Sequence, residues 1–259
     1  MRLDPPTATS NRSGPRAWRS AIPVLGVALA AAIWTVDHAR GMWTAPGTMG
    51  MDPTGFVAMW SVMMAAMMLP SMAPLASLYV RSLGHAHPVR GTLFVGGYVL
   101  LWAASGVAAY GLAAAADLVV MRGGFAPRLF AATVFATAAV YNCTSLKHRL
   151  LRQCRNPLGL LVTYAGYRGR CRALRAGLHH GLTCLGCCWS LMALMMVSGA
   201  MNVAAMVVLG LVVAIEKLSA RGVLFARGAG AVSALLALVV LAVPEMAVGL
   251  TGADRVMAP

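Results

Sequence analysis

Acidic residues are scarce. Seven Asp and Glu stand against 21 Lys and Arg in 259 residues, and all charged residues together make up 11%. Soluble domains carry about a quarter of their residues charged, so an ordinary soluble domain is excluded. The acids are Asp4, Asp37, Asp52, Asp117, Glu216, Glu245 and Asp254. None forms a close pair, and neither a nucleophile elbow nor an HExxH motif is present, which removes the usual hydrolytic chemistries. Aromatic residues are 7% of the chain. No aromatic-rich basic motif and no zinc-finger spacing accompanies the net charge of +14, so nucleic acid is not the expected partner. Histidine is missing from the apolar spans, except for His179 and His180 at the end of one. A b-type haem would therefore lack axial ligands. The six Cys do not make a secreted disulfide framework, because most lie within or beside apolar spans.

Apolar residues dominate, at 59%, with a mean hydropathy of +0.74. That composition implies an all-α, polytopic transmembrane helical bundle. About seven spans are expected, near residues 18–36, 55–80, 91–120, 129–146, 178–199, 203–217 and 223–243. The first has a basic start and an Ala-rich centre and could be a cleaved signal, which would leave six. Residues 1–17 read as a disordered basic tail, 18–246 as one transmembrane domain, and 247–259 as a short C-terminal tail. Residues 147–180 carry Lys147 and seven Arg without an acid, and read as a basic loop. The opposite side keeps only Arg40, Arg122, Arg128 and Arg255, so the N-terminus and the 147–180 loop are expected in the cytoplasm. The expected location is the cell's inner (cytoplasmic) membrane, with the lipid bilayer as a constant partner.

The chemistry concentrates in the fifth span, Gly181-Leu-Thr-Cys-Leu-Gly-Cys-Cys-Trp-Ser-Leu-Met-Ala-Leu-Met-Met196. At 3.6 residues per turn, Cys184, Cys188, Met192 and Met195 share one stripe, with Cys187 and His180 beside it. A single buried Cys or Met is ordinary packing; three Cys within five residues are not. Soft thiolate and thioether donors favour Cu(I), and thiolates with imidazole also suit zinc. The second span adds Met59, Met63 and Met67 in one row and Met64 and Met68 in the next, with Pro70 and Pro74 expected to kink it. Taken as antiparallel neighbours, the two spans would bring Met63, Met67 and Met68 opposite Cys184, Cys187, Cys188 and Met192, with His180 at the foot. Other candidates have blander readings. His85 and His87 suit a solvated loop, and Glu216 beside Lys217 suits an interfacial ion pair. Cys154 and Cys171 sit among the arginines of the basic loop.

The pairing of Met59-Trp-Ser-Val-Met-Met-Ala-Ala-Met-Met-Leu-Pro-Ser71 with Gly177-Leu-His-His-Gly-Leu-Thr-Cys-Leu-Gly-Cys-Cys-Trp-Ser-Leu-Met192 resembles a bacterial family of predicted metal-binding integral membrane proteins, a domain-of-unknown-function family. The likeness extends to Cys154-Arg-Asn-Pro157, Gly199-Ala-Met-Asn202 and Glu216-Lys217, and so covers roughly residues 55–220. It implies metal binding without a reaction. The family pattern often has a second Cys four residues before Cys154 and a His before it; this chain has Leu150 and Gln153. Those departures turn attention from the 147–180 segment to the fifth span. Three functions follow from these readings. The first is soft-metal handling or transport, with a metallochaperone or membrane complex as partner. The second is a thiol oxidoreductase or metalloenzyme using the CxxCC cluster. The third is a structural subunit of a membrane assembly.

Overall fold

A computed structural model describes residues 22–39, 47–82, 88–199 and 202–243. The two expected tails, together with His85 and His87, lie outside these residues. Nine helices occur among the described residues, and no strand: α1 (Ile22–Ala39), α2 (Pro53–Ser82), α3 (Pro88–Arg122), α4 (Ala126–Cys143), α5 (Ser145–Cys154), α6 (Pro157–Ala165), α7 (Arg172–Val197), α8 (Val203–Leu218) and α9 (Gly222–Ala242). Five are long and apolar enough to cross a membrane: α1, α2, α3, α7 and α9. A sixth exists if α4 and α5, bent by 67° at their junction, form one broken span. Against the seven expected, five or six such helices occur among the described residues. The expected sixth span is α8, whose 16 residues rise only about 24 Å, short of the roughly 30 Å hydrocarbon core.

The central element is α7, with 72% of its apolar window buried against 28% for α3 and α9. Lipid tails are as apolar as Leu, so close approach of helices depends on small residues and hydrogen bonds. Both serve α7. Ala173, Ala176, Gly177 and Gly181 make a small-residue face against α3. A Cβ on Gly177 would stand 2.0 Å from the Phe94 carbonyl oxygen, and one on Gly97 2.5 Å from that of Leu174. The backbones of α3 and α7 are in contact there, and any larger residue must part them.

The segment expected as a solvated basic loop is folded instead. Thr144 caps α5, accepting a hydrogen bond from the Lys147 amide, and α5 lies across α4, α7 and α9. Lys147, His148 and Leu151 face inward while Arg149 and Arg152 face out. Leu150 occupies the space that a Cβ on Gly186 of α7 would need. Helix α2 runs through Pro70 and Pro74 without being divided. At its start, Asp52 accepts hydrogen bonds from the Thr54 hydroxyl and the Thr54 and Gly55 amides, which hold its carboxyl below the usual carboxylate range. Asp117 at the far end of α3 holds the preceding turn, accepting from Thr48 N and Oγ1 at 2.9 and 2.6 Å.

Candidate metal centre

Cys184, Cys187 and Cys188 are all buried, at 1%, 0% and 1% exposure. Adjacent cysteines point roughly 100° apart on a helix, so both can be buried only where protein surrounds the helix on several sides. Such a position is what α7 has. The Cys187 Sγ lies 3.2 Å from the Cys188 Sγ and 3.7 Å from the Cys154 Sγ, at the end of α5. Cys184 stands one turn before Cys187 and Cys188 on α7, where the Cys187 thiol donates to the Cys184 carbonyl oxygen at 3.2 Å. Four free thiols from two separate segments therefore form one cluster.

One face of the cluster carries a cation. Lys217 Nζ is 2.9 Å from Cys184 Sγ, 3.1 Å from Ser71 Oγ and 3.9 Å from Met68 Sδ. An ammonium has three N–H donors, and each here has a partner. Tyr98 makes a second bridge: its hydroxyl lies 3.1 Å from Cys184 Sγ and donates to the Met68 carbonyl at 3.4 Å. The Met helix and the Cys helix thus meet through Lys217 of α8 and Tyr98 of α3. They do not pack face to face: α2 lies on α1, α3, α6 and α8, and α7 on α3, α4, α5 and α8.

The expected ligands separate accordingly. Met63 and Met68 are fully buried, and Met68 reaches the cluster through Lys217. Met67 points to α8, with its methyl 3.5 Å from where a Gly210 Cβ would stand. Met192 is buried beside Trp60 and Met196, along an apolar groove of about 400 Å³. His180, 4% exposed, stacks on Tyr98 at 5.5 Å between centroids, and its Nδ1 has no hydrogen-bond partner among the described residues. It borders a cavity of about 160 Å³ that Cys154 and Lys217 also line.

Among the described residues no group of three or more His, Cys, Asp or Glu has the geometry to hold a metal ion. The sulfur contacts explain this. Four ligands at about 2.3 Å in a tetrahedron stand about 3.8 Å apart. The 3.7 Å separation of Cys154 and Cys187 nearly meets that spacing, whereas the 3.2 Å between Cys187 and Cys188 must open by roughly half an ångström. The donor types suit a soft ion, and a rotamer change of one thiol supplies the opening.

Sequence reasoning missed two members of this cluster, Cys154 and Lys217. Lys217 was expected to pair with Glu216, but neighbouring residues on a helix do not face each other. That rule was the available signal. Glu216, 1% exposed, pairs with the fully buried Lys147 at 2.9 Å. Lys147 also donates to the Asn142 side chain, and His148 Nε2 lies 3.0 Å from the Asn142 carbonyl oxygen. The expected interfacial pair is thus a buried ion pair with a different partner, set where α4 bends into α5.

A sequence model of the PpoB2 family, described as a copper chaperone, matches residues 57–240, from the second turn of α2 to the end of α9. No curated protein and no solved structure matches the chain. An all-helical chain with several spans' worth of apolar helix, a buried thiol cluster and a family match over most of its length leads to one assignment: the chain belongs to the PpoB2 copper-chaperone family.

Proposed function

We propose that the protein binds Cu(I) as cargo within the inner membrane, at Cys154, Cys184, Cys187 and Cys188, and passes it on. The observation that carries this reading is the approach of Cys154 Sγ to Cys187 Sγ, at 3.7 Å, beside a cation that touches Cys184. Thiolates bound to Cu(I) leave net negative charge, which is costly away from water unless a cation offsets it. Lys217 supplies that charge. Met68 is the nearest thioether, joined to the thiols through Lys217. The buried row Met59, Met63 and Met64 extends from it toward the other end of α2 as a path of weaker, proton-independent donors. His180 and Met192 border the site and tune access rather than bind, and Met67 serves packing against α8. Zinc, for which thiolates are also good ligands, is the second candidate guest. In this reading the basic α5–α6 end faces the cytoplasm.

Anaerobic loading of the purified chain with Cu(I) or Zn(II), followed by elemental analysis, tests the proposal. About one equivalent of Cu(I) is expected, falling below about a tenth in the Cys184→Ser/Cys187→Ser/Cys188→Ser variant. Less than about a tenth of an equivalent of either metal in the unmodified chain overturns it. The same sulfur contacts would suit a disulfide exchanger. Thiol alkylation decides that rival, which needs a reversible disulfide to form among these cysteines during turnover.

A further inference from the structure

The cavity of about 160 Å³ next to the cluster is lined by Ser71 of α2, Cys154 and Arg155 at the α5–α6 turn, His180 of α7 and Lys217 of α8. Its chemistry is one-sided. Two cations and a hydroxyl face it, and no carboxylate does among the described residues; Glu216, next to Lys217, turns away to Lys147. The buried His180, which borders it, keeps an unpartnered Nδ1. Cys154 is the thiol on its wall, and it alone of the four clustered thiols is partly exposed. The volume equals about five waters, enough to take one thiol of a small copper complex with the rest of the complex at its mouth, and too little for a protein loop.

Resting on the reading of the sulfur cluster as a Cu(I) site, we infer that this cavity is the port at which Cu(I) is exchanged with a small anionic thiol, arriving or leaving as a bis(thiolate) complex. A free Cu(I) cation would be repelled by Lys217 and Arg155, whereas an anionic complex is drawn in by them. Cys154 is the first protein thiol it meets, and Cys187 stands 3.7 Å behind. Exchange then proceeds without redox change. Two protein thiols form bonds to copper as two carrier thiolates leave it. Each protein thiol loses its proton, each released carrier takes one up, and copper stays Cu(I). His180 Nδ1, which has no partner among the described residues, can hold the carrier's own polar group during the exchange.

The test measures how fast the full chain in detergent takes Cu(I), anaerobically and at low salt, from three carriers of matched Cu(I) activity. Mercaptoacetate gives a trianionic complex, 2-mercaptoethanol a monoanionic one and cysteamine a monocationic one. The rate is expected to fall in that order, by at least about tenfold across the series. Arg155→Gln should flatten the series to within about threefold and leave the final copper content unchanged, and Arg155→Lys should restore the slope. A flat or reversed series in the unmodified chain overturns the port, as does a slope that survives Arg155→Gln. Failure to load from any carrier overturns the sulfur site itself, and the port with it.

Discussion

Lys217 shows how much a single side chain decides here. Its ammonium joins three helices by touching Cys184 of α7 and Ser71 and Met68 of α2 from its own place on α8. Hydrogen bonds that involve a charged group contribute about 1.5–3 kcal/mol. Lys217→Gln removes the charge and adds no sulfur donor, so Cu(I) affinity should fall by roughly tenfold to a hundredfold. Lys217→Arg should lose less. Competition against a coloured Cu(I) chelator measures both. An affinity unchanged in Lys217→Gln would mean that the cation plays no part in holding the charge of the complex.

At the scale of elements, the buried pair of Lys147 and Glu216 anchors the bend that carries Cys154 to the cluster. Lys147 stands at the start of α5, Glu216 near the end of α8, and Asn142 at the end of α4 takes the remaining contact. Removing one partner of a buried pair leaves the other charge unpaired, at a cost of about 3–5 kcal/mol. Glu216→Ala should therefore lower the thermal midpoint of the detergent-solubilised protein severely, or abolish its accumulation. The Lys147→Met/Glu216→Met double variant should recover most of the loss, because apolar replacement of both partners leaves no stranded charge. If both variants are equally unstable, the pair is not what holds the bend. The register of α7, by contrast, needed no such partner to be seen. Cys184, Cys188 and Met192 recur at the helical period, and all three are buried as that period requires. Cys154 was hidden because charge pattern is a local signal. The arginines beside it mark a solvated face, and only the packing of α5 on α7 turns the opposite face, with Lys147, Leu151 and Cys154, toward the bundle.

For the whole molecule, composition was enough to expect a helical membrane protein, and the described residues are all-helical with five or six helices long and apolar enough to span. Composition was not enough to count the spans. A 16-residue apolar stretch and a helix broken by 67° look like ordinary spans until their lengths and directions are known. The pairing of helices was equally out of reach. Two sulfur-rich stripes of like chemistry suggested direct contact, whereas α3 and α8 bridge them through Tyr98 and Lys217. The centre is therefore a junction of five helices rather than a seam between two, and its clustered thiols come from α5 and α7 together. X-ray absorption of the anaerobically Cu(I)-loaded full chain tests that claim most directly. A first shell of sulfur alone is expected, with one sulfur fewer, or a nitrogen or oxygen in its place, when Cys154 is changed to Ser. A shell dominated by nitrogen or oxygen in the unmodified protein, or a sulfur shell untouched by Cys154→Ser, would contradict the account.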